Sequence, residues 1–405
     1  MSQSATLVKK IAISVAGLSL AWLAVVVGLG NIARSSPPEA FASYGLNDAR
    51  LMGRRSELVL VSAQDARAIS RAERLAKAAL KRDPTVISAI RTLAAAHELR
   101  ADNLAALRLM RYSEAMSRRD FPTHFWLIDY EAKQNNVAKA LDHYDAALRT
   151  SSAAEPILMP ILLDAFGSTD LTDPLANVLA RKPAWAATFV SKAISETAHT
   201  EKMLKLAFLL RTKNFEIDPE PLAVLINRAV RDGLYSGALR LSRRPAQPEG
   251  IFNSEFDNEP KFAPFDWALT SGSDLGSERM PEEDKAAEHR LYLYGASGRG
   301  GIVATQLLLL KPGKYRLEAL VSDVPETIQD RPYISVTCDG KKASVMTTAD
   351  FPAASKAPGK VSAIFEVPPQ DCRAQWFNIS VRASNRIGGT QSSIHNAAIT
   401  PSVSS

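Results

Sequence analysis

Apolar residues recur at helical spacing over the first part of the chain and at every second position over the last part. The change falls at the proline- and glycine-bearing stretch Pro245 to Gly250. Ahead of it, Ile157 to Phe166, Trp185 to Thr197, Glu201 to Thr212 and Pro219 to Asp232 read as helices. The last carries its own punctuation: Asp218 as N-cap, Pro219 at the first helical position and Gly233 just past the end. Behind the change, "KYRLEALV" sets Tyr315, Leu317, Ala319 and Val321 on one side and Arg316 and Glu318 on the other, the period of a strand. Pro312-Gly313 separates it from the run Leu307 to Leu310, where Leu307 and Leu309 are expected toward a core and Leu308 and Leu310 toward the opposite face. Similar runs occupy Arg290 to Tyr294, Ile302 to Leu310, Tyr333 to Cys338, Lys360 to Val367, Gln375 to Ala383 and Ser392 to Ile399. Seven or eight short strands over about 155 residues predict an antiparallel β-sandwich of jelly-roll type. The fold class is therefore α+β and multidomain, with a helical domain at 44–244 and the sandwich at 249–405.

The helical part repeats. Ala72, Ala106 and Ala140 stand thirty-four residues apart, as do Leu93 and Leu127. Four and seven positions after each alanine come Ala76, Met110 and Tyr144, then Ala79, Ser113 and Ala147, and the first copy also keeps Pro84. Antiparallel helices that cross closely accept only a small side chain at the contact, while the bulkier slots fill the groove against the next pair. Over Ala63 to Ser152 this pattern resembles the second helix of tetratricopeptide repeats. The copies depart from that family in the first helix, where Ile90 and Ala94, then His124 and Ile128, replace its aromatic and glycine. After Ser152 the next slot falls on Pro174 and the register is lost. The expectation is a right-handed α-solenoid of five or six helix pairs from Ser43 to Ser242. His97, Arg100, Tyr130 and Lys133 are its candidates for gripping a segment of another protein, with a merely solvated surface as the competing reading. Trp126 and Trp185 read as core.

Ile11 to Leu29 is a stretch of nineteen uncharged positions, close to the roughly 30 Å of bilayer hydrocarbon when helical. Lys9 and Lys10 precede it, which orients the N-terminus toward the cytoplasm and the bulk of the chain outside. Length favours a retained anchor at 11–30 behind a cytoplasmic tail at 1–10. A cleaved leader ending near Gly28-Leu29-Gly30 or Ala40-Phe41-Ala42 is the alternative, and both export the body of the protein. The Pro- and Ser-bearing segment 31–43 then reads as a linker. The net charge of +6 changes little: 49 basic and 43 acidic residues are spread without a Lys/Arg block, and no nucleic-acid partner is expected. Two cysteines, Cys338 and Cys372, are expected to form a disulfide in an oxidising compartment.

In the last part, "IFNSEFDNEPKFAPFDWAL" resembles the opening of carbohydrate-binding-module and galactose-binding-like domains, and "ATQLLLLKPGKYRLEALV" is similar to their central hairpin. The resemblance implies sugar held by aromatic rings and planar polar groups, in some members with a structural calcium near the first strand. Trp267, Tyr292, Tyr294 and Trp376 are the available rings, Asn253, Glu255 and Asp257 the early oxygens, and Asn385, Arg386 and Gln391 weaker polar candidates. A core plug is the competing reading of Trp267 and Phe256, and solvated acids that of the early oxygens.

No HExxH, CxxC, GxSxG or P-loop occurs, and the glycine-rich "GASGRGG" at Gly295 to Gly301 lies between strands rather than before a helix. No catalytic residue, metal ligand or cofactor is nominated, and no enzyme is expected. Anchor, repeat and sugar-module-like sandwich together resemble bacterial inner-membrane envelope proteins associated with surface polysaccharide export. That implies a single-pass periplasmic scaffold with an envelope-protein partner and a glycan. A purely protein-protein adaptor is the alternative, and a glycan-modifying enzyme a third.

Overall fold

The computed structural model describes residues 48–402 apart from 64, 243–249, 262, 283–287, 341–343 and 355–356. The expected anchor at 11–30, the linker at 31–43 and the stretch at 243–249 lie outside the described residues. Among those described, no helix is long and apolar enough to cross a membrane. The chain forms two compact units that divide at Ala186, within the helical part.

The first unit holds α1 (Ala49–Val61), α2 (Ala66–Arg82), α3 (Ile87–Glu98), α4 (Asn103–Met116), α5 (Phe121–Lys133), α6 (Val137–Thr150), α7 (Glu155–Ser168) and α8 (Thr172–Leu179). The second helix of each of the first three pairs ends at Arg82, Met116 and Thr150, the same thirty-four-residue interval as the alanines. Every repeat slot of the second helices is buried: Ala72, Ala106 and Ala140, then Ala76, Met110 and Tyr144, then Ala79, Ser113 and Ala147. The turns repeat as well. Ala101 and Asn135 follow α3 and α5 with φ of 61° and 56°, the left-handed residue that closes a helix C-terminus. Asp48, Asp65, Asp102 and Asp120 each accept a first-turn backbone N–H as N-caps. Where Pro174 breaks the sequence register, the chain still builds the next second helix. It shortens α8 to eight residues, and Leu175, Ala176, Val178 and Leu179 go into the core.

Arg91 on α3 ties three helices, pairing with Glu57 of α1 and with Asp120, the N-cap of α5. Burial pushes the Glu57 carboxyl above its ordinary value, and the Arg91 charge offsets part of that rise. Arg91→Ala is expected to cost about 2–3 kcal/mol at pH 7, because it leaves a largely buried carboxylate without its cation. A group whose folded pKa is raised favours the fold below its unfolded pKa and opposes it as pH climbs through the folded value. The cost should therefore shrink as the pH falls through about 4, below which Glu57 becomes protonated in both states. Urea unfolding of both proteins at the two pH values checks it.

The second unit begins within α9 (Ala186–Glu196) and continues through α10 (Thr200–Thr212), α11 (Pro219–Arg231) and α12 (Tyr235–Ser242). Asp218 occupies the N-cap position of α11, but its carboxylate accepts no cap hydrogen bond there, while Gly233 takes the expected left-handed φ, 73°. Two five-stranded antiparallel sheets follow, built from β1 (Ala268–Leu269), β2 (Leu275–Pro281), β3 (His289–Gly295), β4 (Gly301–Leu308), β5 (Gly313–Ser322), β6 (Tyr333–Cys338), β7 (Val345–Asp350), β8 (Gly359–Val367), β9 (Gln375–Val381) and β10 (Thr390–Pro401). The first sheet runs β1-β4-β9-β6-β7 and the second β2-β3-β10-β5-β8. All seven strands expected from alternation are present. The additional β1, β2 and β7 are short or edge strands of mixed polarity, and with at most one face to bury they show no clean apolar alternation.

The inner faces meet in one core that takes in Tyr315, Leu317, Ala319 and Val321 as the alternation requires. The leucine run is seated differently from expectation: Leu308 and Leu310 enter this core. Leu307 pairs across to Trp376 and is buried outside the core cluster, while Leu309 is only partly buried. A β-bulge between Ile302 and Ala304 slips the pairing by one residue, and a one-residue slip exchanges the faces of everything after it. Two fully buried glutamines complete the packing by mimicking strand pairing. Gln306 exchanges both amide groups with the backbone of Phe252, and Gln375 accepts from Leu310 N and donates to Cys372 O.

Candidate functional site

On β3 the side chains alternate, with Leu291 and Leu293 in the core and Tyr292 and Tyr294 half-buried on the outer face of the second sheet. The two rings lie side by side, centroids 6.0 Å apart and planes within 26°. The Tyr294 hydroxyl donates to Gly272 O at 2.7 Å. Its ring lies over Gly276, where a Cβ would come within 2.6 Å of that hydroxyl, so only glycine lets the ring settle. Burial and the nearby Asp323 carboxylate raise the pKa of Tyr292, which stays a neutral phenol.

The strip continues into a hollow. Gln391 of β10 pairs opposite Tyr294, and Ser393 lies opposite both Tyr292 and Ser322 of β5. Beyond Gln391, a cavity of about 640 Å³ is lined by Asp323, Glu326, Thr327, Arg386, Ile387 and Gln391 among others. Its walls are the turn after β5 and the loop ahead of β10. That loop closes through Gly388 and Gly389, at φ of 87° and 75°, and a Cβ on Gly389 would sit 2.1 Å from Gly295 O. Four sequence candidates, Tyr292, Tyr294, Arg386 and Gln391, are thus brought to one place. Asn385 is exposed in the same loop. Asp323, Glu326 and Thr327 carry no signal of their own in the sequence, because only the fold sets the β5 turn beside that loop. Flat ring faces beside carboxylate, guanidinium and amide groups suit a ligand with apolar C–H faces and many hydroxyls.

The other rings are engaged elsewhere. Trp267 is 1% exposed, packed against Phe256 and Phe377, with its Nε1 donating to Asn253 O at 2.9 Å. It is a core plug and cannot present a face to a sugar. Trp376 lies in the seam with α12: its Nε1 donates to Asp339 Oδ1 at 3.2 Å, and the Tyr235 hydroxyl donates to Oδ2 at 2.7 Å. Burial and that carboxylate push Tyr235 up to about 12. The early oxygens serve their own loop. Asn253 spends both amide groups on Asn258, and Asp257 accepts from His289 N at 3.0 Å; Glu255 is exposed.

A further polar line crosses the same outer face. His395 sits at the bulge between Ile394 and Asn396, with Nδ1 against Glu282 and Nε2 2.9 Å from Ser322 Oγ. The order Ser, His, acid is that of a nucleophile relay. The Ser322 hydroxyl, however, donates to Asp323 Oδ2 at 3.0 Å, so the group braces β2, β10 and β5 instead of freeing a nucleophile.

In the helical unit the four candidates fall in two pairs at the C-terminal ends of α3 and α5. His97 Nδ1 lies 3.1 Å from Asp102, Arg100 pairs with Glu73, and Lys133 with Asp129 at 2.6 Å. Tyr130 stacks on Trp126, centroids 5.3 Å apart and 12° between planes, and Trp126 Nε1 donates to Glu98 at 2.7 Å. Trp126 is half-buried: it packs against the core of Ala94, Met110 and Leu127, as expected, and forms an aromatic step with Tyr130 on its other side. Trp185 is buried as expected and donates to Asp145 at 3.1 Å.

The disulfide Cys338–Cys372 joins the end of β6 to the segment ahead of β9.

No protein-family model matches the chain, and no curated protein matches it. Among solved structures it is similar to the CBM22-1 xylan-binding domain of Paenibacillus barcinonensis Xyn10C at 8% identity and TM-score 0.27, covering 40% of this chain and 100% of that one. It is similar to the N-terminal cellulose-binding domain of Cellulomonas fimi β-1,4-glucanase C at 16% identity and TM-score 0.25, covering 40% and 100%. It also matches the enzymatically active domain of bacteriophage CBA120 tailspike protein 4 at 13% identity and TM-score 0.28, over 38% of this chain and about a fifth, 21%, of that one. At these values the likeness carries no argument about ligand or activity.

Proposed function

We propose that the protein is a membrane-anchored scaffold on the outer side of a bacterial inner membrane. Its sandwich binds glycan on the Tyr292/Tyr294 strip and the adjoining hollow, and its tetratricopeptide-like helices hold an envelope protein for polysaccharide assembly or export. The observation that carries the glycan reading is the convergence of two half-exposed rings with Asp323, Glu326, Arg386 and Gln391 at one end of the second sheet. The Cys338–Cys372 bridge supports an oxidising compartment, and the Lys9-Lys10 flank with its uncharged segment supports the anchor.

Affinity electrophoresis of the full chain through gels containing acidic and neutral bacterial polysaccharides tests it. Wild type should be retarded by at least one, and Tyr292→Ala/Tyr294→Ala should lose about tenfold in affinity per ring while remaining folded by circular dichroism. If no polysaccharide retards the wild type, the glycan reading fails. The protein-only adaptor then stands on the Trp126–Tyr130 step and its flanking charges, a surface suited to a docked peptide.

A further inference from the structure

Three consecutive helices of the first unit aim ligating atoms at one point. Glu114 lies on α4, His124 on α5 and His143 on α6, and one donor atom of each lies within 4.8 Å of the others. Both imidazoles are buried, at 1% and 6% exposure, whereas the Glu114 side chain is 26% exposed and opens the cluster toward solvent. His124 Nδ1 faces His143 Nδ1 at 3.3 Å, and His143 Nδ1 faces Glu114 Oε1 at 3.3 Å.

The tautomer of His124 follows from its other side. Nε2 is 3.0 Å from the Arg118 carbonyl oxygen, which only accepts, so Nε2 carries the hydrogen and a neutral His124 turns a bare lone pair toward His143. Two facing lone pairs repel unless something positive lies between them, and either a proton on His143 or a metal ion meets that need. The spacing fits a metal ion: ligands about 2.0 Å from a tetrahedral zinc stand about 3.3 Å apart, a separation that also lies at the long end for an imidazole–imidazole hydrogen bond. Both measured edges are 3.3 Å, and rotation of the partly exposed Glu114 carboxylate can close the third. The bond from His124 Nε2–H to a backbone carbonyl is the orienting contact that metal-bound histidines make.

Charge points the same way. Besides Glu114, the groups facing the cluster are Arg111 and Glu131, and Arg111 pairs with both carboxylates. Two carboxylates against one guanidinium leave the nest net negative with neutral imidazoles.

We propose that Glu114, His124 and His143 form a zinc site that locks α4, α5 and α6 together and leaves a fourth position, on the Glu114 side, for water or a partner's side chain. The full chain, purified in detergent and stripped with chelator, is titrated with Co2+ as a spectroscopic stand-in and then with Zn2+. One equivalent of cobalt should give the visible bands of tetrahedral coordination, and zinc should abolish them. Glu114→Gln, at a partly exposed position that should fold, is expected to weaken binding at least tenfold, and His124→Gln/His143→Gln to remove the bands altogether. Absence of the bands in wild type, or their persistence in the double variant when circular dichroism shows it folded, overturns the site and leaves a hydrogen-bonded imidazole pair. If the double variant does not fold, unchanged affinity in Glu114→Gln overturns it instead.

Discussion

Replacing Trp267 with alanine should lower the stability of the sandwich by about 3–5 kcal/mol, the cost of emptying a large aromatic site at the centre of a close-packed core. The indole is sealed between Phe256, 5.1 Å away, and Phe377, 5.7 Å away, and its Nε1 holds the turn at Asn253. The substitution therefore opens a cavity and also removes one of the two hydrogen bonds to the Asn253 carbonyl, which keeps the one from Phe256 N. Urea unfolding followed by tyrosine fluorescence and circular dichroism checks it: the midpoint should fall steeply with little change in slope. Tyr292→Ala, on the outer face, should cost well under half as much. A Trp267 variant that lost polysaccharide binding would thus report a failing core, and only the tyrosine variants test the binding strip. A Trp267→Ala protein as stable as wild type would contradict the packing described against Phe256 and Phe377.

Removing the disulfide comes next in size. Cys338 and Cys372 are separated by 34 positions, and releasing a loop of that length returns enough entropy to the unfolded chain to cost about 3–4 kcal/mol. The double variant Cys338→Ala/Cys372→Ala avoids a stray thiol and should unfold at correspondingly lower urea. Reductant present during unfolding should bring the wild type down to the same midpoint and leave the variant unmoved. Equal midpoints for oxidised wild type and variant would refute the prediction. A sandwich that this bridge stabilises is most stable in an oxidising environment, so the measurement bears on compartment as well as stability.

Part of the candidate site is legible in the order of residues alone. Tyr292 and Tyr294 alternate with two leucines, and that period places them on one outward face of a strand. Arg386 and Gln391 are visible as polar groups in the last loop, although nothing in the chain order joins them to β3. Trp267 and Trp376 look like equal candidates with these tyrosines, since a tryptophan near a strand has the same sequence signature whether it plugs a core, seats a helix or faces a ligand.

What the sequence determined by itself is what local period sets: the thirty-four-residue spacing of small residues, the helix pairs it implies, and the inner face of regularly alternating strands such as β3 and β5. These are properties of neighbours along the chain, and the backbone's fixed geometry converts them directly into faces. What only the tertiary structure decided are the meetings between distant residues. His124 and His143 lie nineteen positions apart, and Glu282 and His395 lie one hundred and thirteen apart. Which leucines of Leu307 to Leu310 face inward turned on a bulge at Ile302 to Ala304, because one inserted residue exchanges both faces of a strand without altering its composition.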